Sequence, residues 1–199
     1  MLIEHEGGVP RVDPSAWVAP TATLVGDVEV GPESRVLFGA VLSADGGPIT
    51  IGSRCVIMEN AVLRGTPRRP LRIGDNVLVG PRAYLSGCSV GDEVFLATGA
   101  TVFNGARVGS RSEIRVNGTV HLRSSLAEGS LVPIGWVAVG DPARILPPES
   151  HDEIWAIQEP LDFPGEVFGV ERSDDMMLEI MGRYTSGLGS HRSDRIVPE

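Results

Sequence analysis

The chain has 199 residues and a formal net charge of −9, from 17 basic and 26 acidic side chains. That balance argues against nucleic acid and anionic membrane surfaces as partners, because both select a basic face. All 17 basic residues are Arg, which excludes Schiff-base chemistry and a P-loop lysine. Hydrophobic residues make up 42% and aromatics only 5%, so the expected core is aliphatic.

The first ten residues, MLIEHEGGVP, lack the basic stretch and apolar run of a signal peptide. No run reaches the roughly 18–20 apolar residues of a membrane span. Cys55 and Cys88 form no CxxC pair. A cytoplasmic location is expected, with no cofactor and no bound metal.

From Val18 onward an aliphatic residue recurs every six positions, at Leu24, Val30, Val36 and Leu42. The beat restarts at Ile51 and at Ile73, then runs from Val90 to Leu126. A small or β-branched residue such as Ala22, Ala40, Ala61 or Ala100 often falls four positions after the aliphatic one. A sustained period of six fits neither a helix nor an alternating strand; it predicts an all-β solenoid of short parallel strands and corners. Three such units close one coil, so residues about 18 apart stack at the strand spacing of about 4.8 Å. The pattern predicts about six coils. Gly follows the aliphatic position at 31, 52, 74, 80, 91 and 109, where it is expected to supply corner dihedrals.

The beat breaks at 43–50, 64–72 and 86–89, which are read as loops, and stops after Pro133. Residues 1–147 are therefore assigned to the β-helix and 148–199 to a C-terminal wrapping segment, a helix and a flexible tail. The helix is expected from Ser173, capped by Ser173 or Asp174 and ended at Gly187. Its stripe of Met176, Met177, Ile180, Met181 and Tyr184 is read as packing against the prism or a neighbouring subunit.

The strings VDPSAWVAPTATLVGDVEVG, VLFGAVLSADGGPITIG, NVLVGPRAYLSGCSVGDEVFLATGA and VGDPARIL resemble the γ-class carbonic anhydrases, over roughly residues 10–147. The resemblance implies a left-handed β-helix with a C-terminal helix, assembled as a homotrimer. It also implies a zinc ion held at each interface by three histidines from two subunits. At those three positions this chain carries Arg64, Pro81 and Ser86. A guanidinium stays protonated and repels a cation, and Pro offers no ligand atom. Zinc-hydroxide catalysis is therefore not expected. The family's RGD-like string reads Ser43-Ala44-Asp45 here, and its Gln-Asp-Asn reads Met58-Glu59-Asn60.

Counting along the repeat stacks Val25, Ser43, Arg64, Ser86, Phe103 and His121 in one column, and Phe38, Glu59, Pro81 and Thr98 in another. In the family these two columns meet across the subunit interface. Arg64 then either forms an intersubunit salt bridge with Glu59 or binds a substrate carboxylate or phosphate. Glu59 is a candidate general base, Ser86 a weak candidate nucleophile, and His121 either an interface residue or a catalyst. Ser43, Asp45, Asn60, Arg68, Pro81, Tyr84 and Phe103 complete the candidate substrate-binding set. The Arg68 and Arg69 loop is read as solvated or as recruiting anions, and Cys88 as a packing residue.

Three function classes fit these residues. The first is a metal-independent enzyme acting on an anionic small molecule by isomerisation, elimination, cyclisation or thioester hydrolysis. The second is a non-catalytic trimeric scaffold or binding subunit. The third is a hexapeptide acyltransferase with His121 as base.

Overall fold

A computed structural model of the chain describes residues 1–197. The repeat folds as a left-handed parallel β-helix with three faces. The first face carries eight parallel strands, running from Leu2–Glu4 through Val41–Ala44, Val62–Gly65 and Tyr84–Ser86 to Val137–Val139. The other two faces carry seven parallel strands each. The prism thus holds seven complete coils and the start of an eighth, more than the expected six. The added coils lie where the beat is hard to read. At the start, Leu2 and Ile3 stack under Leu24 and Val25, but a turn closed by His5 and Gly8 interrupts the count. At the end the period continues through Val132 to a small residue, Ala138, which pairs with Val120.

Register explains the sequence pattern. Leu24 pairs with Leu42, Leu42 with Leu63, Leu63 with Leu85, and Leu85 with Val102. All five side chains have 0% exposure. Each coil buries its aliphatic side chain on the one below, and the hydrophobic effect is what holds the stack together. Each side chain shares its layer with small residues, which is why so few aromatic rings are needed.

The glycines act differently from expectation. Gly31, Gly52, Gly74, Gly80, Gly91 and Gly109 are absent from the positive-φ positions. They are required because neighbouring coils touch there. A Cβ on Gly31 would sit 2.7 Å from the carbonyl oxygen of Gly52, and one on Gly109 2.5 Å from the amide nitrogen of Glu128. The left-handed corner conformation falls instead on Glu33, Arg54, Asn76, Glu93 and Arg111, with φ between 51° and 59°. Non-glycine residues adopt that region at some cost, which the coil stack offsets with a hydrogen bond. The Arg54 amide donates to the Pro32 carbonyl at 2.8 Å, and the Glu93 amide to that of Asp75 at 2.8 Å.

Beyond the prism come α1 (His151–Gln158), α2 (Phe163–Phe168) and α3 (Met176–Gly187). The predicted helix is therefore α3, starting three residues later than expected, with Asp175 at its N-cap and no side-chain capping bond. Only Ile180 of its apolar stripe is buried. The tail, read as flexible, forms a 3-10 helix at Leu188–Ser193 and then a strand, Arg195–Val197, antiparallel to Leu2–Glu4. Among the described residues no helix is long and apolar enough to cross a membrane.

Candidate functional site

On the first face, Ser43, Arg64 and Ser86 occupy one register position on successive strands, as the repeat count implied. The pleat points these side chains away from the core, because Leu42, Leu63 and Leu85 one position earlier point into it. The column continues through Phe103 to His121, whose rings lie 5.7 Å apart. Tyr84 flanks it, with its ring 6.3 Å from that of Phe103.

The C-terminal helices turn this column into a cleft of about 410 Å³, within the usual range for small-molecule sites. The floor carries Arg64, Ser86, Tyr84 and Phe103, and one wall carries Phe163, Val167 and Phe168 of α2 with Tyr184 of α3. The aromatic wall is self-supporting: Phe168 meets Tyr184 edge-on at 5.8 Å and Phe163 at 6.0 Å. Glu166 of α2 ties this wall to the prism. It pairs with Arg69 and lies 3.8 Å from Arg123. The Arg69 loop is therefore a clamp for α2, and Arg68 sits exposed at the tip of the same turn.

Arg64 is the cation on the floor of the cleft, which Arg183 of α3 also lines. Its Nη2 donates to Asp45 Oδ2 at 2.6 Å. Burial works against its charge, but Tyr184 and Asp45 outweigh burial and hold the guanidinium more firmly protonated than usual. Its Nε is buried and has no hydrogen-bond partner among the described residues.

Asp45 has further company. Its Oδ1 lies 3.0 Å from His191 Nε2 and 4.0 Å from His5 Nε2. The two imidazoles stack at 4.2 Å with an interplanar angle of 20°. Their Nδ1 atoms face the two oxygens of Asp194 at 2.6 and 2.8 Å. The bond to Asp194 raises the pKa of His191, opposed in part by burial. No signal in the sequence joins these residues, which lie at opposite ends of the chain.

The remaining candidate residues lie outside the cleft within one chain. Ser43 is half-buried beneath Arg64 in the column. Glu59, Asn60 and Pro81 lie at the corner that precedes the first face, where Asn60 has φ 58°. Arg64 thus pairs within the chain with Asp45, whereas Glu59 is not among the residues lining its cleft. His121 lies behind Phe103; its Nδ1 is buried without a hydrogen-bond partner among the described residues, and burial lowers its pKa. Cys88 is buried and its thiol is pushed up to about 12, consistent with packing rather than chemistry.

The chain matches the family model "Hexapeptide repeat of succinyl-transferase" over residues 70–104. It is 35% identical over 151 residues to γ carbonic anhydrase 1, mitochondrial, of Arabidopsis thaliana, covering 73% of this chain and 53% of that protein. By these matches the chain is a relative of the γ-class carbonic anhydrases and carries the hexapeptide repeat. A carbonic anhydrase of Geobacillus kaustophilus is 32% identical over 109 residues, covering 55% of this chain and 60% of that protein. The chain therefore spans little more than half the length of these curated relatives. Among solved structures, a Bacillus cereus protein described as a candidate acetyltransferase superposes with a TM-score of 0.54 at 27% identity, covering 79% of this chain and 90% of that one.

The family's zinc does not fit the residues at its usual position. Arg64 and Ser86 sit in register on adjacent strands, and the guanidinium is bound to Asp45 and held charged. A dication at that point would meet a fixed positive charge and a single hydroxyl, in place of the N, S or carboxylate donors that zinc takes.

Proposed function

We propose that this γ-carbonic-anhydrase relative binds a small organic anion with an apolar body, in the cleft where its family holds zinc, and acts on it without a metal at that position. One observation carries the reading: the protonated Arg64 on the floor of a cleft walled by Phe163, Phe168 and Tyr184. A guanidinium recognises carboxylate or phosphate oxygens with directional hydrogen bonds. The Ser86 hydroxyl, in register with Arg64 and also in the cleft lining, supplies a further donor. The aromatic wall accommodates a ring or short acyl chain.

The assembly we propose is a homotrimer, in which Glu59, Asn60 and Pro81 of a neighbouring subunit complete the cleft and Glu59 acts as general base. The apolar side chains exposed near that corner support such a contact: Phe38 is 51% exposed and Trp17 is 42% exposed. Contiguous exposed apolar surface of this kind is typical of interfaces.

Isothermal titration with benzoate, phenylacetate and hexanoate tests the reading. Saturable binding, weakened at least tenfold in Arg64→Met, supports it. Indifference of the wild-type protein to all three at millimolar concentration overturns it in favour of a non-catalytic scaffold. The scaffold reading has one observation of its own: the pairing of Arg64 with Asp45 already satisfies one edge of the guanidinium.

A further inference from the structure

A second constellation borders the anion cleft and shares His5 and Asp45 with its lining. We propose that His5, His191 and Asp194 form a site for a zinc-type divalent ion, separate from the family's metal position and built where the two ends of the described chain meet. One donor atom from each of the three residues lies within 4.8 Å of the others. Stacking of the rings turns both Nδ1 atoms toward the Asp194 carboxylate, at 2.6 and 2.8 Å. An ion between them needs only a small outward shift to reach ligand distances of about 2.0–2.2 Å.

The surroundings have the form of an outer shell. A metal-bound imidazole usually donates its second ring N–H to a carboxylate, which fixes the tautomer and aims the ring. Asp45 Oδ1 occupies that place for His191, at 3.0 Å from Nε2, and approaches His5 from 4.0 Å. Arg64 holds the other oxygen of Asp45, so the carboxylate that orients the histidines is itself positioned. Two carboxylates against one guanidinium leave an excess of negative charge for a dication to neutralise. His5 is 5% exposed and is fixed by paired backbone bonds with Gly8, at 3.0 and 2.8 Å. Two imidazoles and one carboxylate suit zinc, with water in the fourth position. The ion would staple the Leu2–Glu4 strand to the Arg195–Val197 strand, whose pairing begins within two residues of its ligands.

The test uses the full chain without a histidine tag, stripped with chelator and titrated with Co²⁺ and Zn²⁺. The expected result is a saturable visible Co²⁺ spectrum at one ion per chain, displaced by Zn²⁺, with a melting temperature that rises with Zn²⁺. His191→Gln and Asp194→Asn, both at partly exposed positions, are expected to lose the spectrum and the thermal shift while keeping the circular dichroism of the fold. Binding that is absent from the wild-type chain, or unchanged in both variants, overturns the proposal. Should a variant fail to fold, X-ray absorption at the zinc edge of the loaded wild-type protein decides: two imidazole nitrogens support the site, and an all-oxygen shell overturns it.

Discussion

Arg64 and Asp45 join two neighbouring coils through a 2.6 Å hydrogen bond in which the guanidinium donates. Asp45 lies in the turn just after the strand that pairs with Arg64, so the bond links the floor of the cleft to the loop of the preceding coil. The pair is partly exposed, with side-chain exposures of 27% and 19%, so its strength lies between those of surface and buried bridges. Arg64→Met is expected to cost about 1–2 kcal/mol in urea unfolding. A double-mutant cycle with Asp45→Asn is expected to return a coupling of about 1 kcal/mol. Additive single effects would show the bond to be energetically idle.

The clamp on α2 gives a second expectation. Glu166 faces Arg69 and Arg123, and it is the ionic tie between the aromatic wall and the prism. Glu166→Gln is expected to leave the prism folded but loosen α2. Limited proteolysis would then cut the segment between α1 and α3 several-fold faster, and affinity for a carboxylate would fall because Phe163 and Phe168 no longer hold their place. Unchanged cleavage rates would show that apolar packing alone fixes the wall.

The coil-contact glycines separate two roles of one residue type. Gly31→Ala drives a methyl group into the Gly52 carbonyl and is expected to cost at least about 2–3 kcal/mol, as overpacking does. Gly129 has φ 69° and open space around it. Gly129→Ala pays only for its backbone conformation, about 1 kcal/mol. Urea midpoints of the two variants, compared with the parent, check the order.

His121 gives the protein a pH-dependent stability. Burial lowers its folded pKa, so below the ordinary histidine value of about 6.5 the unfolded chain binds a proton that the folded chain resists. Above that value both states are neutral there and the group contributes no slope. Stability is therefore expected to fall as pH drops below about 6.5, continuing until the folded pKa is passed. His121→Gln is expected to flatten this part of the profile relative to the parent protein. Chemical denaturation between pH 5 and 8 measures the difference.

The column Ser43–Arg64–Ser86 was legible in the sequence because every coil resets the register, even across the loops at 43–50 and 64–72. Asp45 was legible as a site residue, but its pairing with Arg64 was not. It sits where the beat fails, and its direction depends on the turn that follows Ala44. The aromatic wall escaped for a different reason. Tyr184 belongs to a stripe that packs a helix, and periodicity alone does not tell a packing stripe from a cleft lining. His5 and His191 meet only because the last described strand returns to pair with the first one, and a local pattern carries no information about such a return.

The two antiparallel strands, Arg195–Val197 on Leu2–Glu4 and Arg144–Leu146 on Val137–Val139, sit at opposite edges of one parallel face. A bare parallel edge is a template on which another copy can add in the same direction. Here each edge is instead capped by a reversed strand from the chain itself. The parallel ladder of this face therefore leaves no bare parallel strand at either end, the kind of edge most open to strand addition.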